Sequence, residues 1–220
     1  MSRRRILGAL APVVVVLAAT IAFAVFEPIQ VLPRIRVAPG YRLVDAEGRR
    51  LTSEDLRGSI TLYTFGHPGC GDACAPILDT VREVLRRLDE VELPDDVSFR
   101  VVTISLEPLD EPELAAFAAE LGADGDRWTV ATGEPDHLVN VVRGGFRTWY
   151  EATDDGIVFD PTLVLVDGWG VVRGDYRYRT QASDADRIVR HLQVLTDEIR
   201  NARGAAAIAY EAAHLFLCYP

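Results

Sequence analysis

The sequence contains no lysine, and all 23 of its basic residues are arginines. Without lysine the chain cannot form a Schiff base with a carbonyl substrate, and it cannot carry the phosphate-binding lysine of a P-loop. Cysteine is also scarce, with three in 220 residues, which excludes a disulfide-rich scaffold. Apolar residues make up 49% and charged residues 25%, which is the composition of a globular protein rather than of a disordered one.

Charge is distributed unevenly along the chain. Three arginines, Arg3 to Arg5, precede the first acidic residue, Glu27. From Glu27 onward 20 arginines stand against 33 acidic residues, a balance of −13. A body of this charge repels phosphate backbones, so we expect no nucleic-acid partner.

The N-terminus carries an apolar run, Ile6 to Phe26, of 21 residues without a charge. A run of this length can cross the hydrocarbon core, and the positive-inside rule keeps residues 1–5 as a cytoplasmic tip. We therefore expect one transmembrane anchor at 6–26, with the lipid bilayer as a partner. The rest of the chain would lie on the periplasmic or outer face of a bacterial inner membrane. A cleaved signal peptide is the alternative, because Ala22-Phe23-Ala24 has the form of a cleavage site.

The apolar pattern of the body alternates between strand and helix periods. After a proline-containing segment predicted as a stiff linker, 27–40, the pattern predicts a domain at 41–201 and leaves an apolar tail at 202–220. The predicted elements are a hairpin at 41–51, strands at 59–65, 97–105, 128–131, 163–166 and 171–176, and helices at 77–88, 110–122, 134–146 and 185–201, the last capped by Ser183. This alternation indicates an α/β domain with a central sheet and helices on both faces. The closing hairpin and helix are typical of a thioredoxin-like fold, one of several candidate topologies.

Two cysteines, Cys70 and Cys74, flank the junction between a predicted buried strand and the helix that follows. We place Cys74 in the first turn of that helix. A helix N-terminus stabilises a thiolate, and a spacing of four puts both sulfurs on one face, at a separation compatible with a disulfide. The pair is predicted to be redox-active, with Cys70 attacking and Cys74 resolving. Two soft thiolates also suit Cu(I), and a structural disulfide is the alternative.

Pro161 precedes the predicted strand 163–166. In a thioredoxin-like sheet this position lies opposite the cysteine loop. We therefore predict a cis peptide bond at Pro161 and, together with Thr162, a role in orienting the backbone of a partner protein. An ordinary proline at the start of a strand is the alternative.

Residues 40–201, about three quarters of the chain, resemble the SCO/SenC family of membrane-anchored, thioredoxin-like factors of respiratory oxidase assembly. The segment from Cys70 to Ala75 matches the family's C-P-D-x-C-P motif at both cysteines and at Asp72. Arg127-Trp128 with Thr132-Gly133 matches its R-W…T-G element, and VLVDGWGVV follows in register. The resemblance implies maturation of the copper centre of a terminal oxidase. Its partner would be the oxidase's copper-binding subunit or another exported thiol protein.

The resemblance breaks at one position. The family carries Asp-His-Ser where this chain has Asp160, Pro161 and Thr162, and that histidine completes a copper site with the two cysteines. The departure favours thiol-disulfide exchange as the mechanism. A copper(I)-binding metallochaperone for the same oxidase and a general exported thiol-disulfide reductase are the alternatives.

Copper could still be bound by Cys70 and Cys74 alone, or with a substitute histidine. His67 lies in the cysteine loop, and its other interpretation is an ordinary loop histidine. His214 and Cys218 are four residues apart in the tail, a spacing that metal ligands on a helix often have. The tail's other interpretation, which we favour, is a helix that packs on the domain or on the membrane surface.

Overall fold

The computed structural model describes residues 13–15, 17, 29–154, 156–178, 184–204 and 206–216. Most of the predicted anchor at 6–26 lies outside these ranges, and so do Ser183 and Cys218. Within the described part of the chain, no helix has both the length and the apolar character needed to span a bilayer.

A central sheet organises the described structure. Its strands are β1 (Arg36–Val37), β2 (Arg42–Asp45), β3 (Arg50–Thr52), β4 (Ser59–Gly66), β5 (Ser98–Ser105), β6 (Trp128–Thr132), β9 (Thr162–Val166) and β10 (Val171–Arg177), while β7 (Tyr150–Thr153) and β8 (Gly156–Phe159) form a separate hairpin. The strand order is β1-β10-β9-β4-β5-β6-β2-β3. Strands β4, β5 and β6 are parallel to one another. Strand β9 runs antiparallel to β4, and β10 runs antiparallel to β9.

The helices are α1 (Ala75–Arg86), α2 (Glu111–Leu121), α3 (Pro135–Leu138), α4 (Ala185–Asn201) and α5 (Ala206–Phe216). Helices α1, α2 and α4 pack on one face of the sheet in a core that includes Ile60 and Leu62. On the other face, α3 and the π-helix that continues it pack against Tyr63 and Phe65. Successive side chains of β4 therefore point into two different cores. The predicted α/β sheet with helices on both faces is confirmed.

Local signals explain the ends of α2. Asp110 accepts a hydrogen bond from the backbone of Glu113, whose carboxylate accepts one from the backbone of Asp110, so the two form a capping box. Gly122 ends the helix in the left-handed conformation, with φ 77°. At α4 the cap is Asp184 instead of the predicted Ser183, because the Asp184 side chain accepts from the Arg187 amide at 2.7 Å.

The helix predicted at 134–146 has two parts. After one α-helical turn, Val139–Phe146 continues as a π-helix. The wider winding ends at Arg147, which takes a left-handed conformation with φ 61°. Apolar periodicity locates a helix but does not distinguish these two windings, which differ by about one residue in each hydrogen-bonded ring.

The segment predicted as a linker packs on the domain. Val31 and Leu32 are fully buried, and Arg36–Val37 adds an edge strand to β10. The buried guanidinium of Arg173 donates hydrogen bonds to the carbonyl oxygens of Leu32 and Pro33. Prolines favour an extended backbone, but here tertiary contacts make that backbone part of the sheet.

The C-terminal tail forms α5, which packs on the domain as one of its two interpretations predicted. Ala213 is buried, and His214 Nε2 lies 3.0 Å from Glu198 Oε1 of α4. The Arg34 guanidinium bonds both carboxylate oxygens of Glu211, at 2.7 and 2.9 Å.

Candidate dithiol site

Cys70 and Cys74 lie at the carboxyl end of β4, separated by one turn of 3-10 helix, Gly71–Ala73. Cys74 is the N-cap of α1, and its carbonyl oxygen accepts from the amides of Ile77 and Leu78, each at 3.0 Å. The prediction that Cys74 lies within the first helical turn is therefore wrong by one position. Glycine at 71, with φ 45°, lets the chain make the additional tight turn.

The two cysteines form a disulfide with a Cα–Cα distance of 5.6 Å. The spacing argument for a bond between them is thus confirmed. Cys70 is 9% exposed and Cys74 is 3% exposed, while Gly69 and the intervening turn are exposed. Cys70 is therefore the more accessible residue of the pair.

Gly66, the last residue of β4, lies next to the disulfide. A Cβ placed on Gly66 would lie 3.2 Å from Cys74 Sγ and 3.7 Å from Cys70 Sγ. Only glycine leaves this space to the sulfurs. We did not identify Gly66 from the sequence, because a glycine after a strand normally indicates a turn.

His67 shapes the loop. Its carbonyl oxygen accepts from the Cys70 amide at 3.2 Å, and its Nδ1 lies 3.0 Å from the carbonyl oxygen of Pro68. The imidazole meets the ring of Phe159 edge-on, with centroids 6.0 Å apart. Within the described ranges, no group of three or more histidine, cysteine or acidic side chains is placed to hold a metal ion. The role of His67 as a third copper ligand remains a prediction.

Pro161 lies near the cysteine loop. Leu163 pairs with Thr64 in an antiparallel register, so the residues before Leu163 approach the end of β4. The contact between His67 and Phe159 agrees with this placement. Pro161 is buried, whereas contact with a partner's backbone would need an exposed residue, so its role in orienting a partner remains a prediction.

The predicted cis bond at Pro161 is wrong, because no described peptide bond is cis. The backbone on both sides is extended and hydrogen-bonded. The amide of Asp160 donates to the carbonyl of Trp149 at 2.9 Å, and the amide of Tyr178 donates to the carbonyl of Pro161 at 3.0 Å.

Charged side chains behind Pro161 form a network that we did not foresee. Arg177 lies 3.6 Å from carboxylate oxygens of both Asp160 and Asp175. Arg36 bonds Asp175 at 2.9 Å and the carbonyl oxygen of Phe146 at 2.9 Å. The network joins the edge strand β1 to the segment that carries Pro161. Its members are far apart in sequence, and no local motif identifies them.

Aromatic rings fill the core beneath the site. The hydroxyl groups of Tyr41 and Tyr63 lie 3.0 Å apart, and the ring of Phe146 packs against Tyr63 and Phe65. Burial raises the pKa of Tyr63 to about 12, although the hydrogen bond with Tyr41 acts in the opposite direction. Burial also raises the pKa of Tyr41 strongly. Both hydroxyls therefore stay protonated at neutral pH and supply packing rather than acid–base chemistry.

The fold and the site together define a thioredoxin-like protein with a cysteine pair at the end of a central parallel strand. More particularly, the chain belongs to the SCO1/SenC family, whose model matches residues 30–195. The match includes residues 30–40, which we had predicted to be a linker.

Relatives and solved structures agree with this assignment. The mouse mitochondrial protein SCO2 homolog is 27% identical over 159 residues, which cover 69% of this chain and 61% of the relative. Copper-bound ScoI of Arabidopsis thaliana matches with a TM-score of 0.59 at 21% identity, covering 71% of this chain and 98% of that one. BsSco, described as a Sco-family cytochrome c oxidase assembly protein with a disulfide switch, matches with a TM-score of 0.61 at 18% identity, covering 74% and 95%. The chain spans about three fifths of the length of the mammalian relatives it matches.

Proposed function

We propose that this protein acts by thiol-disulfide exchange in the maturation of the copper centre of a respiratory terminal oxidase. The observation that carries the proposal is the Cys70–Cys74 disulfide beneath an exposed loop at the end of β4. Membership of the SCO1/SenC family supports the oxidase as the destination. The disulfide switch described for BsSco supports redox chemistry at a cysteine pair.

The exchange begins with the reduced pair. The thiolate of Cys70 attacks one sulfur of a disulfide on the copper-binding subunit of the oxidase, and the other sulfur leaves as a thiolate. Cys74 then loses its proton and attacks Cys70 Sγ, which breaks the mixed disulfide and releases the second thiolate of the subunit. Two electrons pass to the subunit, and the Cys70–Cys74 bond re-forms. We assign Cys70 as the attacking residue because it is the more exposed residue of the pair and adjoins the exposed turn.

A copper(I) metallochaperone is the second candidate function. Relatives of similar fold from Arabidopsis thaliana and yeast have been solved with copper bound. In the reduced protein, two thiolates four residues apart at the N-terminus of α1 suit a two-coordinate Cu(I) cargo. Pro161 has no ligand atom in its side chain, so the donor set offered by these residues is weaker than two sulfurs and an imidazole. Among the histidines that could supply a third ligand atom, His67 is the one closest in sequence to the two cysteines.

We also propose that residues 6–26 anchor the protein, with the domain on the periplasmic or outer side. The charge-free run after Arg3 to Arg5 supports this topology. The disulfide agrees with it, because such bonds persist outside the cytoplasm.

Serine variants in a strain that depends on this protein for its oxidase test the proposal. Cys70→Ser and Cys74→Ser should each abolish oxidase activity, and Cys74→Ser should accumulate a mixed disulfide with the copper-binding subunit. Cys218→Ser is the matched control and should retain activity. Retained activity in both site variants would overturn the proposal.

The alternatives give different results in the same strains. A metallochaperone would bind one Cu(I) per reduced chain and form no mixed disulfide with the subunit. A general exported reductase would trap several exported thiol proteins with Cys74→Ser, and oxidase loss would then be one defect among many.

A further inference from the structure

The described domain begins very close to the apolar run. Val31 and Leu32 are fully buried, and the run ends at Phe26, so only residues 27–30 connect them. Five peptide units from Phe26 to Val31 reach at most about 18 Å when extended. If residues 6–26 cross a bilayer, as proposed above, the surface around Val31 lies within that distance of the lipid.

Buried contacts hold this connection in place. The Arg173 guanidinium, 3% exposed, donates to Leu32 O at 2.8 Å and to Pro33 O at 3.2 Å. It also bonds Asp167 at 2.9 Å and Glu198 at 2.6 Å. Detaching residues 31–33 would leave buried donors of a charged group without partners, which is unfavourable. Residues 31–33 therefore stay on the domain, and the connection to the apolar run remains as short as residues 27–30.

Helix α5 is fixed beside the same segment. Glu211 of α5 pairs with Arg34, and His214 contacts Glu198, which also bonds Arg173. The pairing with Arg34 lowers the pKa of Glu211. Ile208, three residues before Glu211, is exposed. The N-terminal segment and the C-terminal helix thus leave the domain from one region.

Exposed apolar side chains continue from this region. Val37 and Trp169 are 73% and 82% exposed, and Ile35 also faces solvent. The Ala38 amide donates to Gly170 O at 2.8 Å, which brings the turn carrying Trp169 beside the end of β1. We call Ile35, Val37, Trp169 and Ile208 the basal face.

We propose that the basal face is a membrane-contact surface that rests on the bilayer in which the N-terminal run is anchored. A tryptophan suits this interface because its ring is apolar and its N–H group can remain in water. The acidic body is repelled by anionic lipids, so the contact is hydrophobic and a zwitterionic phosphatidylcholine surface suffices. The inference rests on the anchoring proposed above.

The contact would set the position of the dithiol. Val166, three residues before Trp169, pairs with Thr61 near the start of β4, and Cys70 follows the end of that strand. Eight residues of strand separate the two ends by about 23 Å. A domain resting on the basal face would therefore hold the cysteine loop at a fixed distance from Trp169.

Tryptophan quenching tests the proposal with the full-length chain reconstituted in phosphatidylcholine vesicles, with or without brominated acyl chains. Trp128 is buried, and Trp149 lies on the segment that pairs with Asp160, near the cysteine loop. In the Trp149→Phe variant the remaining exposed tryptophan is Trp169. Brominated vesicles should reduce the fluorescence of Trp169 by at least about half relative to unbrominated ones, as expected for an indole at the lipid interface. Trp169→Phe, which retains Trp149, should show no such loss. Equal quenching of the two variants, or none in Trp149→Phe, would overturn the basal face as the contact.

Two serine substitutions test the apolar contact itself. In the Trp149→Phe background, Val37→Ser should reduce the quenching of Trp169 by about twofold, because it removes exposed apolar area. Val44→Ser is the matched control, since Val44 is an exposed valine on β2, near the other edge of the sheet, and it should leave the quenching unchanged. Equal effects of the two substitutions would contradict the proposal.

Vesicle flotation separates this proposal from the anchoring. Chains that float with vesicles but show unquenched Trp169 would overturn only the basal face. Chains that do not float would overturn the anchoring and the contact together. A third result is that Trp169 is not quenched and that position 37 cross-links to a second copy of the chain. That result would show that another molecule of this protein covers the basal face.

Discussion

Gly66 and Cys74 lie so close together at the end of β4 that a methyl group added to Gly66 would be 3.2 Å from Cys74 Sγ. That separation is below the usual contact distance of carbon and sulfur. The two sulfurs and the Phe117 ring therefore occupy the space that a side chain at position 66 would need.

Gly66→Ala should destabilise the oxidised protein by about 1–3 kcal/mol, because the added methyl group displaces a buried sulfur. Urea unfolding of the oxidised chain measures the effect. Gly144→Ala is the matched control, since a Cβ there meets nothing within 4 Å. It should change the stability by no more than about 0.5 kcal/mol. An equal loss in both variants would show that Gly66 matters through helix or strand propensity rather than through the sulfur.

Alkylation should distinguish the two thiols after reduction. We expect Cys70 in the Cys74→Ser variant to react faster at neutral pH than Cys74 in the Cys70→Ser variant, because Cys70 is the more exposed and adjoins an exposed turn. Mass spectrometry after timed quenching gives the two rates. Equal, slow labelling would indicate a structural disulfide.

Pro161→His should raise Cu(II) affinity by at least about tenfold, equivalent to about 1.4 kcal/mol, by adding an imidazole near two thiolates. The variant should also exchange disulfides more slowly. Absorption titration and a disulfide-reduction assay on both proteins measure these effects. A strong thiolate-to-Cu(II) charge-transfer band in the unmodified chain would show that another residue, such as His67 or His214, already supplies the nitrogen.

Arg173→Met should destabilise the protein by about 3 kcal/mol or more, because it leaves Asp167 and Glu198 buried without their cation. Both carboxylates lie within 2.9 Å of the guanidinium. Arg86→Met removes an exposed pair with Glu83 and should cost no more than about 1 kcal/mol. Denaturant midpoints of the two variants decide, and similar losses would contradict the importance of the buried cluster.

Asp124 gives a pH dependence with a defined sign. Burial acts to raise its pKa, but hydrogen bonds from the amides of Asp126, Arg127 and Trp128 outweigh it and lower the pKa. The stabilisation is therefore complete above the unfolded-state pKa of about 3.9 and is lost as the pH falls through the lower folded-state value. Asp124→Ala should cost about 1 kcal/mol at pH 7, and the difference from the unmodified chain should shrink below about pH 4. Unfolding across pH 3–7 tests this, and a difference that grows in acid would have the wrong sign.

Local patterns determined much of this protein. Apolar spacing located the helices of the domain and most strands of the central sheet, but it did not predict β1, β7 or β8. Asp110 with Gly122 located both ends of α2, because caps act within a few residues. The spacing of Cys70 and Cys74 made a disulfide possible but left a Cu(I) site open, and the structure shows the disulfide. The winding of 139–146 was not identified, because eight residues are too few for apolar spacing to distinguish an α-helix from a π-helix.

Only the tertiary structure decided which distant groups meet. Val31 and Leu32 are part of the core, and Arg173, about 140 positions later, binds the carbonyl oxygens of Leu32 and Pro33. Trp149 and Tyr178 meet the backbone on either side of Pro161, where the peptide bond is trans. Gly66 proved to be part of the site because the chain turns back over it. The free energy of each contact depends on a partner that local sequence does not name, whereas periodicity and capping depend only on neighbours along the chain.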